Sequence, residues 1–261
     1  EYLSSNGTES LARLTGALGF SRSSIKALED KSYVVVGKRI VTRDPLAEVD
    51  YVESKPLNLN EEQAEVLKSV LASACEIESG GKVKPILLYG VTGSGKTEVY
   101  LQAIQKAIDA GKGAIVLVPE IALTPQTADR FKKRFAKIKD QVAILHSNLS
   151  EGERHDEWRK VLEQKARIVI GARSAIFSPI TNLGLIVVDE EHENSYKQDI
   201  SPRYQARDVA VVRGHLEKCP VLLGSATPSL ESWSNTQNDK YELTVMSQRI
   251  DDRKMPLIRI I

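Results

Sequence analysis

Cysteine is scarce in this chain: only Cys75 and Cys219 occur in 261 residues, and neither has Cys-x-x-Cys spacing. That argues against a zinc site within the chain and fits a reducing compartment. An excess of one charge is missing too. Lysine and arginine number 36 against 35 aspartates and glutamates, for a net charge of +1. No global basic field therefore advertises nucleic acid, and any such contact must come from local patches. No apolar run reaches membrane-spanning length and no charged, apolar, small-residue leader opens the sequence, so no membrane partner is expected. The sequons Asn6-Gly7-Thr8 and Asn148-Leu149-Ser150 are accordingly read as coincidences. Internal repeats and low-complexity segments are also absent.

What is present, 41% hydrophobic and 27% charged residues, is the composition of a globular protein. The length allows one large α/β domain plus a small module. Starting on Glu1 and stopping on the apolar Leu257-Ile258-Arg259-Ile260-Ile261, the chain is expected to be a piece of a longer one.

Residues 1–45 are expected to form a module of their own. Leu11, Leu14 and Leu18 keep helical spacing, Gly19-Phe20 breaks it, and Ser21 can cap a second helix through Ile25, Leu28 and Lys31. Tyr33–Val36, Gly37-Lys38 and Arg39–Thr42 then read as a two-residue hairpin. Helix, turn, helix, hairpin is the order of a winged helix, with Arg22, Ser23 and Lys26 placed to meet DNA or simply to stay solvated. Residues 46–57, with Pro56 and little periodicity, read as a linker.

From residue 58 to 261 short apolar runs alternate with helix-length stretches. The runs are Ile86–Tyr89, Ile115–Val118, Val142–Leu145, Ile168–Ile170, Leu185–Val188 and Val221–Leu223. Near-continuous apolar strands with helical crossovers predict a parallel sheet covered on both faces, with ligands beyond the carboxyl ends of its strands.

Three stretches carry chemistry. Gly90-Val91-Thr92-Gly93-Ser94-Gly95-Lys96-Thr97 follows an apolar strand and opens a helix, the context of a phosphate-binding loop. Its glycines let backbone N–H groups turn inward around a polyphosphate, at the positive end of a helix dipole. Lys96 would reach the β and γ phosphates, and Thr97 would put its hydroxyl on Mg²⁺. Second, Leu185-Ile186-Val187-Val188-Asp189-Glu190-Glu191-His192 delivers carboxylates to the same sheet edge. There Asp189 would hold the Mg²⁺ shell and Glu190 would orient and deprotonate an attacking water. Third, Gly224-Ser225-Ala226-Thr227-Pro228-Ser229 ends another strand. Ser225 and Thr227 could bridge to His192, or Thr227 could cap a helix beginning at Pro228.

These blocks in this order resemble the first motor lobe of superfamily 2 helicases. The segments between them, Val118-Pro119-Glu120-Ile121-Ala122-Leu123-Thr124-Pro125-Gln126-Thr127, Leu145-His146-Ser147, Ile170–Phe177 and Ser195-Tyr196-Lys197-Gln198 with Arg203–Asp208, are similar to the bacterial primosomal family that restarts stalled replication forks. The resemblance covers residues 57–245 and is consistent with a winged helix before them.

It implies a RecA-like P-loop NTPase lobe and an ATP-dependent 3′ to 5′ DNA helicase using Mg²⁺ in the bacterial cytoplasm. The implied partners are forked or single-stranded DNA, single-stranded-DNA-binding protein and the proteins that load the replicative helicase. Gln63 corresponds to the adenine-reading glutamine, while its position three after Asn60 also makes a capping box. Pro119–Gln126 with Arg173 and Ser174 would face DNA phosphates. Residues 193–208 would couple DNA contact to hydrolysis, with Tyr196 and Tyr204 stacking on bases and Lys197, Arg203 and Arg207 meeting the strand. The chain departs from the family at Ile200-Ser201-Pro202, where an aromatic is expected, and at Gln205, where histidine is common.

The family's fork-end-binding domain and its second lobe, which brings a cysteine-rich zinc element and an arginine that completes the ATP site, have no counterpart in these residues. Nucleotide binding with little hydrolysis is therefore expected of this piece. Two other readings compete with it: another superfamily 2 DNA translocase, and a DNA-binding or docking module in which nucleotide acts only as a switch.

Overall fold

The structure, a computed structural model, describes residues 2–37, 52–120, 125–147 and 149–250. The chain divides into two compact units, Glu1–Thr42 and Arg43–Ile261. In the first lie α1 (Tyr2–Asn6), α2 (Leu11–Thr15) and α3 (Arg22–Asp30). Ser10 and Ser21 cap the latter two by accepting from Arg13 and Ser24 N–H at 3.2 and 3.0 Å. α2 stops short of Leu18 because Gly16 takes the C-cap, its N–H bonded to the Ala12 carbonyl. Only Leu14 is buried among the described residues of this unit. Half of the expected hairpin, residues 38–42, lies outside the described residues, and Tyr33–Gly37 carry no strand.

In the second unit the expected linker is tied down where it is described. Ser54 N–H bonds the Lys133 carbonyl at 3.0 Å and Leu57 N–H bonds Glu98 Oε1 at 3.1 Å. Helix α4 (Glu61–Glu78) then opens on a capping box in which Asn60 and Gln63 each satisfy the other's backbone N–H. The elements that follow are β1 (Ile86–Gly90), α5 (Lys96–Asp109), β2 (Gly113–Leu117), α6 (Pro125–Arg134), β3 (Val142–Leu145), α7 (Glu151–Leu162), β4 (Ile168–Gly171) and β5 (Leu183–Val188). A two-stranded antiparallel ribbon, β6 (Lys197–Gln198) with β7 (Tyr204–Gln205), leads into α8 (Ala206–Glu217), β8 (Val221–Ser225), α9 (Leu230–Gln237) and β9 (Glu242–Met246).

Seven of these strands form one sheet in the order β3-β4-β2-β5-β8-β1-β9, every pairing parallel. Alternate strand residues serve opposite faces. Leu88, Val116 and Leu222 pack with Val66, Val99, Ile104 and Phe131 from α4, α5 and α6. Leu87, Ile115, Ile186 and Leu223 pack with Val161, Ala206 and Ala210 from α7 and α8. Burial on both faces is why these strands read as unbroken apolar runs. β9 escaped the sequence reading because Glu242-Leu243-Thr244-Val245-Met246 is an edge strand, mostly exposed. The strand order matters most for function, since β8 lies between β1 and β5 and sets the third sequence block between the phosphate loop and the carboxylates.

Candidate functional site

The loop after β1 is built on left-handed backbone at Gly93 (φ 84°) and Gly95 (φ 85°), which glycine alone adopts without strain. Gly95 is the N-cap of α5, so the helix begins on Lys96 and directs its free N–H groups into the loop. A Cβ at Gly90 would lie 2.9 Å from Ser94 Oγ, so the strand's last residue must be small for the loop to close over it. Val91 N–H to the Met246 carbonyl and Ile250 N–H to the Gly93 carbonyl, 3.0 and 3.1 Å, anchor the loop from the β9 side. Thr92 is exposed and Thr97 half-buried beside the buried Lys96. Lys96 Nζ donates to the Gly90 carbonyl at 2.8 Å and stands 3.6 Å from Glu190 Oε1. Ser94 Oγ is buried with no hydrogen-bond partner. Gln63 makes its capping box and also donates from Nε2 to the Ser94 carbonyl at 2.9 Å, joining α4 to the loop.

The carboxylates stand at the end of β5. Asp189 is tied to β2 by its N–H on the Leu117 carbonyl and accepts from the Tyr100 hydroxyl at 3.1 Å. Burial, with Glu190's charge next in weight, raises its carboxyl from the usual 3.8 to about 6, against the opposing pull of Tyr100 and Lys96. Glu190 takes a left-handed turn (φ 45°) that swings its side chain from the strand toward Lys96 and His192. His192 Nδ1 and Ser225 Oγ share a hydrogen bond of 2.7 Å, and Thr227 Oγ1 lies 3.3 Å from His192 Nε2. The bridge from His192 to the third block is therefore formed. Thr227 is not the helix cap: Ser229 is, accepting from Ser232 N–H at 3.2 Å, and α9 begins at Leu230.

Two residues expected on the DNA side are corrected by their burial. Tyr196 is 0% exposed and its hydroxyl donates to the Asp189 carbonyl at 2.6 Å, so its ring has no face for a base. Arg207 is 6% exposed and donates to Glu191 and Ser229 at 3.1 and 2.6 Å, with Asp208 3.0 Å from its Nε, which leaves it bracing the fold. Both lost their expected place because apolar and acidic neighbours around them satisfy ring and guanidinium internally. Arg173 is half-buried and donates to the Lys197 and Ser195 carbonyls at 3.0 and 3.4 Å, holding the start of the 193–208 stretch. Ser174, Lys197 and Arg203 are exposed, Lys197 3.2 Å from Asp199 and Arg203 bonded to the Asp199 carbonyl at 3.0 Å. Tyr204 is half-buried, edge-on to Phe177 at 5.1 Å. Of Pro119–Gln126, residues 121–124 and the side chains of 125 and 126 lie outside the described residues.

Several residues of the site carried no sequence signal. An open cavity of about 580 Å³ runs from the loop and Asp189 to Leu57, Leu101, Arg130 and Arg134. On its wall Arg134 and Glu98 form a buried bidentate pair, 2.9 and 2.5 Å, which nothing in the spacing of two residues on different helices could reveal. Burial pushes the Glu98 carboxyl up, but Arg134, Gln102 and the Leu57 N–H together hold it below its ordinary 4.5. A depressed carboxyl contributes stability above its unfolded value and loses it as pH falls through the folded one. Arg134→Met should therefore lower the thermal midpoint at pH 7 and flatten its fall below about pH 4.5, the ordinary value. Melting curves from pH 3 to 7 read this directly; parallel acid limbs in both proteins would contradict it.

A model of the DEAD/DEAH box helicase family matches residues 60–236. Replication restart protein PriA of Bacillus subtilis (strain 168) is 48% identical over 241 residues, which cover 92% of this chain and 29% of that protein. The protein of the same name from Haemophilus influenzae is 43% identical over 256 residues, covering 95% of this chain and 33% of its own length. The chain thus spans about a third of these relatives. Among solved structures, RecG bound to a three-way DNA junction superposes with a TM-score of 0.55 at 22% identity, over 77% of this chain and 25% of that one. That last likeness concerns the fold alone.

Proposed function

Because the chain belongs to the DEAD/DEAH box helicase family, we propose that it is the ATP-binding first motor lobe of a replication-restart DNA helicase. In the whole protein, by this reading, ATP hydrolysis drives 3′ to 5′ unwinding at stalled forks in the bacterial cytoplasm. Forked or single-stranded DNA is its substrate, and single-stranded-DNA-binding protein and the helicase-loading proteins of the primosome are its partners. The observation that carries the reading is the convergence of the phosphate loop, Asp189-Glu190 and the His192–Ser225 bridge on the ends of three adjacent strands. The names borne by relatives 43% to 48% identical supply the restart function.

The residues present fit a magnesium-bound nucleoside triphosphate. Ser94 Oγ is a buried polar atom awaiting a partner within the loop, and Thr97 with Asp189 gives the hydroxyl and carboxylate that Mg²⁺ takes beside substrate phosphates. When bound, magnesium neutralises charge on the phosphates. Lys96, now on the Gly90 carbonyl and near Glu190, would exchange both for the β and γ phosphate oxygens. That exchange frees Glu190 to accept a proton from the attacking water. His192, one turn beyond, would relay the state of this end of the sheet through Ser225 and Thr227. Gln63, whose Nε2 now donates to the Ser94 carbonyl, would add adenine recognition by turning its amide to the base. Ser174, Lys197, Arg203 and Tyr204 are the residues on the DNA side, and Arg173 steadies that stretch. The first unit serves as a winged-helix module, and zinc belongs to the remainder of the longer protein.

Steady-state hydrolysis with and without forked DNA tests the reading. This chain alone should bind Mg·ATP yet turn it over with negligible DNA stimulation, because an arginine from a second lobe can contribute roughly 10³ to 10⁵ in rate. Joined to the rest of the protein it should show DNA-stimulated hydrolysis that Glu190→Gln abolishes. Full turnover in that variant would sink the role given to Glu190.

A further inference from the structure

Tyr100 is a large buried side chain whose only polar atom points at an Asp189 carboxylate oxygen. It is 1% exposed, and its hydroxyl donates to Asp189 Oδ1 at 3.1 Å. Tyr100 lies one helical turn after Lys96 and Thr97 on α5, so the helix that begins with the phosphate lysine also reaches the end of β5. The path crosses β8 at Gly224, where a Cβ would sit 1.7 Å from the Tyr100 hydroxyl. Any side chain there would push the phenol off the carboxylate. A phosphate loop by itself has no use for this arrangement: phenylalanine would fill the same core space, and alanine would pair as well as glycine in β8.

We infer that Tyr100 is a positioning residue that fixes the Asp189 carboxylate relative to Thr97, so that the two groups face one magnesium ion at a set spacing, and that Gly224 is glycine to let the phenol through. The inference rests on the nucleotide reading above. A carboxylate held by one donor on the helix and by the Glu190 N–H cannot swing away when the ion is absent. The metal then meets a ligand already in place, and little ordering is charged against its binding.

The experiment is ADP affinity of the 261-residue chain by calorimetry, in Mg²⁺ and again in EDTA, for the unaltered protein, Tyr100→Phe and Gly224→Ala. The ratio of the two Kd values measures what magnesium adds. Tyr100→Phe should shrink that ratio about fivefold to tenfold, within the range for losing one ordinary hydrogen bond, while the metal-free Kd stays as reference. Gly224→Ala should shrink it in the same direction; if that variant does not fold, Tyr100→Phe decides alone. An unchanged ratio in Tyr100→Phe, or equal weakening with and without magnesium, overturns the inference and leaves the nucleotide reading standing. Affinity for ADP that does not depend on magnesium in the unaltered chain overturns the inference alone, and no affinity for ADP under either condition overturns both.

Discussion

Lys96→Ala should weaken Mg·ADP and Mg·ATP binding by about a hundredfold, the loss of roughly 3 kcal/mol in charge-assisted hydrogen bonds to phosphate. The lysine is buried, bonded to the Gly90 carbonyl and 3.6 Å from Glu190, so it is a cation kept dry at a fixed point of the loop. A dry, fixed cation interacts with an incoming phosphate far more strongly than one on a solvated surface. The backbone cradle survives the substitution, since Gly93 and Gly95 keep their left-handed geometry and α5 keeps its N-terminus. Residual weak binding is thus expected, and the thermal midpoint should change little. Calorimetric titration of the variant beside the unaltered chain measures it. Affinity within about threefold of the unaltered protein would mean that the loop is not the phosphate site.

Glu191→Ala should cost about 3 to 5 kcal/mol of stability, a fall in thermal midpoint of about 10 °C for a domain this size. Glu191 is 0% exposed and accepts from Ser229 N–H at 2.7 Å, Ser232 Oγ at 2.8 Å, Ser229 Oγ at 2.9 Å and Arg207 Nη1 at 3.1 Å. Removing the carboxylate strands those donors in the interior, and among the described residues Arg207 keeps the exposed Asp208 and Glu231 as acidic neighbours. Glu191→Gln, which preserves shape and one acceptor, should lose less than half as much. Differential scanning calorimetry on the three proteins distinguishes these cases. A drop below about 2 °C in Glu191→Ala would show the network to be weaker than its burial implies.

The same carboxylate marks the limit of what could be read in advance. Asp189, Glu190, Glu191 and His192 are adjacent in the chain and all polar, so sequence points to the group as a whole. Which of them faces the loop and which turns inward depends on the left-handed residue at Glu190 and on what α8 and α9 bring close. Tyr196 and Arg207 show the same limit. An aromatic and an arginine in a stretch expected to meet DNA look like surface groups for nucleic acid, yet here each finds its partner inside, on the Asp189 carbonyl and on Glu191.

The sequence alone determined the phosphate loop, the strand ends with their carboxylates, the capping box at Asn60 and Gln63, and the parallel class of the sheet. Each of these depends on local backbone chemistry or on a short periodicity, so neighbouring residues suffice to specify it. Tertiary structure decided the order of the strands, the edge strand β9, the Glu98–Arg134 pair, and the hold of Tyr100 on Asp189 past Gly224. Those contacts join residues tens to more than a hundred positions apart, and whether a polar side chain is buried against such a partner or left in water depends on packing that no local pattern encodes.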